Sequence, residues 1–344
     1  GKNIRINPYI SSIKEGFSGS TTPKDFETML QLVNLYFTAP NFDEEAFTSI
    51  ITKSAMYLPN LLQDPTTYYR DQVSRVVADH HIRGNYIPSV EELKSYQFDM
   101  AKKAYQERFA NAGDFVFFFV GNINKDSDLV LIQKYLGSLK GESTKENFVD
   151  HKVLAPKGPL EVVVKKGQDE KSMVTIYFTG ACKYDAKEKY LLEALGDVLS
   201  IKLIENLREE KSGVYGVGAR GNMSQYPSAK YRFSIGFPCG PENVDELIAA
   251  AISEVENLKK DGPTQEDIDK VKETQRLDFK EDLEKNRFWL RSMEAAYFNN
   301  GNMEDITKKQ EMIENLNAKE LKKMAKKYLK EDTRIEVVLL PEDK

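Results

Sequence analysis

Apolar and polar positions alternate with two different periods along the second half of the chain. "LEVVV" (160–164) and "MVTIYF" (173–178) are β-branched and aromatic runs of strand length, separated by a polar turn around Gly167. Leu192, Leu195, Leu199, Leu203 and Leu207 then recur at helical spacing and predict a helix over about 185–209. "VYGVGA" (214–219) and "YRFSIGF" (231–237) follow as strands. In the second, Tyr231, Phe233, Ile235 and Phe237 alternate with Arg232, Ser234 and Gly236, the pattern of a half-buried strand. Pro241 opens a helix with Leu247, Ile248, Ala251, Ile252, Val255 and Leu258 on one face, and Lys260–Pro263 breaks it. Thr264, with Asp267 three residues on, predicts a capping-box start to a long third helix. A fourth helix near 317–330 leads into a last strand, "RIEVVLL" (334–340).

The first half repeats the later part of this plan. The helix, proline break and acidic helix start that follow Pro241 also follow Pro23. "MAKKAYQERFANAGDFVFFFV" from Met100 matches "MAKKYLKEDTRIEVVLL" from Met324. Pro23 and Pro241 are 218 residues apart, and Met100 and Met324 are 224 apart. A repeat of that length points to duplicated domains rather than a solenoid, whose units run about 20–50 residues. The second copy spends residues 160–240 on four strands and a helix before its proline, whereas the first has only residues 1–22 there. The first copy is therefore expected to be truncated at its N-terminus, in a chain that begins inside a domain of something longer. The expected division is a first copy over 1–141, a polar linker over 142–159 and a second copy over 160–344.

At 344 residues the chain exceeds one ordinary core. Its 40% hydrophobic and 30% charged residues are those of a soluble globular protein. A net charge of −5 offers no electrostatic footprint for nucleic acid. The longest apolar run, "FVFFFV" (115–120), is of strand length and far short of a membrane span. Cys182 and Cys239, each just past a predicted strand, read as two ordinary thiols.

The search for chemistry narrows quickly. Gly216, Gly218 and Gly221 spell G-x-G-x-x-G. A dinucleotide fingerprint needs a strand before it and a helix after it, and here the order is reversed. The glycines are better read as allowing close packing or a bulge. His80, His81 and His151 form no H-E-x-x-H or H-x-x-E-H, and adjacent histidines on a helix point about 100° apart. No serine sits in a G-x-S-x-G elbow. The carboxylates lie mostly among lysines on solvated helix faces. What remains is "LREEKSGVYGVGARG" (207–221). Arg208 at a helix end suits the macrodipole, and Tyr215 suits a strand. Alternatively, guanidinium and phenol together grip a carbonyl or carboxylate of a ligand.

That segment resembles the C-terminal halves of the pitrilysin/insulinase-like zinc metallopeptidases, in which an arginine and a tyrosine seven apart end a helix and open a strand. "FVFFFVGNINKDSDLVLIQKYLGSLKG" (115–141) resembles the strand, Gly-Asn and helix that close that family's domains. "EGFSGSTTPKDFETMLQLVNLYFTAP" (15–40) resembles its bacterial periplasmic members. The resemblance runs from about residue 4 to 341. It implies an α+β fold of duplicated metallopeptidase-like domains, each a mixed, mainly antiparallel sheet packed against helices, here the third and fourth of four. It implies further that zinc and an H-x-x-E-H helix belong to an N-terminal catalytic half or partner subunit. The corresponding helix here, "EALGDVLSIKLIENL", has no histidine, so no metal or cofactor is expected in this chain and no activity from it alone. Arg208 and Tyr215 would then bind the peptide substrate in a closed chamber. The alternative is a non-catalytic peptide-binding or scaffold subunit of the same fold. A periplasmic location follows from the resemblance only.

Overall fold

The first half of the chain runs through β1 (Ile4–Ile10), β2 (Glu15–Thr21), α1 (Phe26–Thr38), α2 (Glu44–Leu61), α3 (Pro65–Val76), α4 (Val90–Ser95), α5 (Phe98–Arg108) and α6 (Lys125–Tyr135). The second half adds β3 (Leu160–Lys165), β4 (Ser172–Ala181), α7 (Ala186–Leu203), β5 (Gly218–Ser224), β6 (Lys230–Cys239), α8 (Val244–Lys260) and α9 (Gln265–Leu283). It closes with α10 (Asn286–Phe298), α11 (Lys309–Asn315), α12 (Ala318–Tyr328) and β7 (Arg334–Leu340). These elements come from a computed structural model that describes residues 1–142, 146–210, 214 and 216–343, the side chains of 208–210 excepted. The architecture is α+β, as the resemblance implies. Thr264 and Asp267 form the expected capping box at the start of α9.

Two compact units emerge, and they interleave in sequence. The first comprises Gly1–Leu58, Pro88–Val149 and Lys285–Met303; the second comprises Pro59–Ile87, Asp150–Glu284 and Glu304–Lys344. The second unit holds a five-stranded sheet in the order β3-β7-β4-β6-β5. Only the β3–β7 pair is parallel; β4 runs antiparallel to both β7 and β6, and β5 antiparallel to β6. Side chains alternate across such a sheet. Val174, Ile176 and Phe178 are buried on one face, where α7, α8 and α12 pack on one another and α8 on β4. Ile335, Val337 and Leu339 point the other way and pack with Val164 against Tyr69, Val73 and Val76 of α3. The Tyr69 hydroxyl donates to the Val337 carbonyl at 2.7 Å and meets the Thr175 hydroxyl at 2.8 Å.

The first unit is built on an antiparallel β1–β2 hairpin, Ile4 opposite Thr21 and Ile10 opposite Glu15. Phe26, Leu30 and Val33 of α1 and Leu136 form its core, with Phe17, Phe37, Phe117 and Phe119 packed on it. Helix α10 belongs to this unit. Glu294 pairs with Lys14, and the Tyr297 ring lies 5.8 Å from that of Phe118. Helices α2–α3 and α9–α10 are the same two-helix passage of the repeat, about 220 residues apart. In each copy the second of the two helices is assigned to the other copy's unit.

Helix ends refine the repeat register. Spans 98–108 and 318–328 of α5 and α12 match at 220 residues, so Met100 stands opposite Glu320. The sequence match of Met100 to Met324 is one helical turn too far, because "MAKK" recurs on a helix whose lysine face tolerates the slip. "VYGVGA" is also shifted. The strand begins at Gly218, and Val214 makes only an isolated bridge to Cys239.

Glu336 is the one carboxylate in β7. It lies on the helix-facing side, opposite Ile176, and is 8% exposed. Burial pushes its pKa above the ordinary carboxylate range; Arg334 opposes this, and Glu161, Asp245 and Glu331 add to it. A carboxyl with a raised folded pKa favours the fold while protonated. The linked stability therefore falls as pH rises from the unfolded carboxylate value, about 4.3, through the folded one. Glu336→Gln should leave Tm unchanged near pH 4 and raise it at pH 7 to 8, read by thermal unfolding across pH. A Tm lowered at pH 7 would refute this.

Candidate functional site

Helix α7 starts at an Asp185 cap, whose carboxylate accepts the Glu188 N–H, and passes into a π-helical turn, Ile204–Glu210. The predicted helix over 185–209 is thus continuous, with a wider last turn. At Gly196 and Gly221 one face of α7 comes close to the main chain of the edge strand β5. A Cβ on Gly196 would sit 2.9 Å from the Gly221 nitrogen, and one on Gly221 would sit 2.1 Å from the Leu192 carbonyl oxygen. Ser200, one turn after Gly196, accepts the Ala219 N–H at 2.8 Å. Its own proton is shared between the Gly196 and Ala219 carbonyls at 2.8 and 3.1 Å. The third glycine of G-x-G-x-x-G therefore serves helix–strand contact. Small residues at 196 and 200, spaced i,i+4 on an otherwise leucine-rich helix, are the signal that sequence reading passed over.

The turn after α7 is tied down on several sides. Leu207 is fully buried. Asn206 Nδ2 donates to Glu254 of α8 at 2.9 Å. Lys202 reaches Asp267 at the α9 cap, 3.1 Å away, and Lys270 of α9 reaches Glu205 at 3.3 Å. Asp267 is 2% exposed. Burial pushes its pKa up, but the Thr264 hydroxyl and amide and the Lys202 ammonium outweigh that and hold it below the usual range. Arg208 is carried on this turn. Its side chain, and Tyr215 altogether, lie outside the described residues, as does the stretch 211–213 between them.

Other candidates resolve plainly. Ser172 stands opposite Cys239 at one end of the β4–β6 ladder and Ala181 opposite Lys230 at the other. The two thiols therefore flank opposite ends of a ten-residue ladder, on the order of 30 Å long, and both are free. Burial pushes the Cys239 thiol up to about 11. His81 accepts the Arg83 N–H at its Nδ1, and Asp79 and His80 adopt positive φ in the same loop. That loop is clamped by Asp71, which accepts from Ile87 N–H and from Arg75 Nε.

No zinc site is found among the described residues, of which no three His, Cys, Asp or Glu are grouped to hold a metal ion. The buried positions of α7 include Leu192, Leu195 and Leu199 and no histidine, cysteine or carboxylate. Beside it, a cavity of about 160 Å³ is lined by Glu193, Asp197 and Asp278, but Lys309, Tyr190 and Gln275 share the lining. Gln275 is spent within it, accepting from Tyr190 and donating to Asp197. No helix among the described residues is long and apolar enough to cross a membrane.

Comparison with known proteins agrees with the resemblance. The peptidase M16 inactive domain matches residues 98–275. A probable zinc protease PqqL of Haemophilus influenzae is 23% identical over 334 residues, 97% of this chain and 35% of that protein. The crystal structure of the periplasmic protease PqqL from Escherichia coli superposes with a TM-score of 0.83 at 19% identity, covering 98% of this chain and 37% of that one. A peptidase M16 inactive domain from Pseudomonas fluorescens superposes at 0.77 and 14% identity, covering 99% and 81%. The chain spans about a third of the curated relatives' length. On the family match and the shared fold, this chain belongs to the peptidase M16 inactive-domain family.

Proposed function

We propose that this chain is the substrate-gripping, metal-free C-terminal half of a zinc-dependent peptidase that cleaves oligopeptides in a closed chamber, with Arg208 and Tyr215 directed at the peptide. The observation that carries the reading is the helix α7 itself. It stands where a catalytic relative would carry H-x-x-E-H, has no histidine, and instead delivers Arg208 on a turn tethered to α8 and α9. The zinc protease relatives support it, since this chain covers only about a third of each. In this reading zinc and the general base belong to an N-terminal half or partner subunit, and no chemical step is assigned to this chain. Its part is to hold the peptide. The arginine fork pairs with a carbonyl or carboxylate and the phenol donates to a peptide oxygen, so that the scissile bond is oriented when the halves meet. A periplasmic setting follows the Escherichia coli relative.

The test combines the 344-residue chain with a half bearing H-x-x-E-H and follows cleavage of a quenched oligopeptide. Activity should require both. Arg208→Ala should lower kcat/KM on the order of 100-fold and Tyr215→Phe less, each with an unchanged Tm. Unaltered kinetics would remove the site assignment. Peptide binding without turnover by the combined protein would establish the scaffold alternative instead.

A further inference from the structure

The sheet face that α3 packs against changes character halfway across. Over β3 and β7 it is apolar and covered by Tyr69, Val73 and Val76. Over β6 and β5 it is polar. The residues of β6 that alternate with the buried Tyr231, Phe233 and Ile235 are Lys230, Arg232, Ser234 and Gly236. On β5, Arg220 stands opposite Ser234 and Asn222 opposite Arg232. Arg220, Asn222 and Arg232 are exposed. Tyr177 of β4 marks the boundary. It stands opposite Ile335 on one side, and on the other the Arg232 guanidinium lies 5.5 Å from its ring centre.

The patch carries one sign of charge. Residues 218–239 include Arg220, Lys230 and Arg232 and no Asp or Glu, although the whole chain has more acidic residues than basic ones. Among the described residues neither arginine has an ion pair. Lys230 is differently placed, with its Nζ 3.4 Å from the Val153 carbonyl. Burial and the adjacent Arg232 charge hold it below the ordinary lysine range, with Asp150 opposing. Protein surfaces ordinarily intersperse both signs, and here the counter-charge is left to a ligand.

We propose that the open face of β5 and β6 binds an extended acidic polypeptide segment, two of whose carboxylates pair with Arg220 and Arg232. The arginines are diagonal neighbours on adjacent strands, a separation of about 7–8 Å. Carboxylates at i and i+2 of an extended chain share one face about 7 Å apart, so Asp-x-Glu fits, whereas adjacent carboxylates point to opposite faces. Each guanidinium can take a carboxylate through two parallel hydrogen bonds. Asn222 and Ser234, between the arginines, add neutral donors, and the Tyr177 ring steadies the Arg232 guanidinium. A protein segment suits the patch better than nucleic acid or a bilayer. No large hydrophobic side chain of 218–239 is exposed, so no ring is offered for a base to stack on and nothing apolar to enter lipid. The proposal needs neither Arg208 nor Tyr215, and it stands whether or not a catalytic half is present.

Fluorescence anisotropy of the 344-residue chain with a fluorescein-labelled peptide, GTDTETG, tests it at about 20 mM salt, where surface charge is little screened. The neutral peptide GTNTQTG should bind at least about 10-fold more weakly, and the isomer GTTDETG, with adjacent carboxylates, at least about 3-fold more weakly. Arg220→Gln and Arg232→Gln should each weaken binding of GTDTETG about 5–10-fold at an unchanged Tm, whereas Lys323→Gln on α12 should leave it as it is. The proposal is overturned if acidic and neutral peptides bind alike or neither binds, if the isomer binds as tightly as GTDTETG, or if either arginine variant matches the parent. It is equally overturned if an oligothymidylate or phosphatidylglycerol vesicles displace the labelled peptide at a lower concentration of charge than unlabelled GTDTETG does.

Discussion

Gly221→Ala should lower the melting temperature sharply and loosen the junction of α7 with β5. The added methyl would lie 2.1 Å from the Leu192 carbonyl oxygen, 2.6 Å from its carbon and 2.7 Å from the Leu192 Cγ. Two of those three atoms are helix main chain, so no rotamer change relieves the contact and α7 as a whole must move. The reciprocal approach at Gly196, 2.9 Å from the Gly221 nitrogen, shows that neither element has slack. Overpacking of this kind costs about 1–3 kcal/mol, more where main chain is displaced, and each kcal/mol is worth about 2–4 °C in a unit of this size. The displacement has a local signature. The Ala219 amide, bonded to Ser200 Oγ at 2.8 Å, should lose its exchange protection before the amides of β4. A Tm within about 1 °C of the parent, with Ala219 still protected, would show that the junction yields more easily than its distances imply.

Tyr69→Ala should be comparably severe, and the damage should appear in the sheet of the other copy of the repeat. The ring is 2% exposed, packed with Val73 and Val76 over Ile335, Val337 and Leu339. Truncating a buried aromatic ring costs about 3–5 kcal/mol. Tyr69→Phe isolates the hydroxyl, which donates to Val337 and meets Thr175, and should cost about 1 kcal/mol. Exchange distinguishes this from general destabilisation. Amides of β3, β4 and β7 should lose protection while those of α1 and the β1–β2 hairpin keep theirs. Equal loss in both units would refute the assignment of α3 to the second.

Four elements of the second copy were legible because each obeys one period over its length. β4, α7, α8 and β7 fall where alternation, leucine spacing, Pro241 and "RIEVVLL" place them. Periodicity shows that a face is buried but not against what, so the assignment of α3 and α10 to each other's unit could not be read. "FVFFFV" carries the composition of a central strand, yet pairing depends on neighbours that composition does not supply. The order of elements on which the nucleotide reading of the three glycines was set aside, helix before and strands after, is the order in the structure. The use of the third, Gly221, in a main-chain contact with Leu192 and Gly196 needed the distance. Of the candidate site, the missing histidines of α7 and the placement of Arg208 at its end were readable. The ties from Asn206, Lys202 and Glu205 were not, because their partners lie tens of residues away on α8 and α9.

The interleaving of the two units has a consequence for synthesis. The chain passes from one unit to the other five times, at 58/59, 87/88, 149/150, 284/285 and 303/304. A first unit that needs residues 285–303 cannot be finished when its last early residue, Val149, leaves the ribosome. At about 5–20 residues per second it must wait several seconds or more for α10. During that interval α3 has no sheet and the face that takes Tyr297 has no helix. The first unit can close once residue 303 has emerged and the second only after its segment 304–344 has followed, so chaperone dependence should persist until both late segments are out.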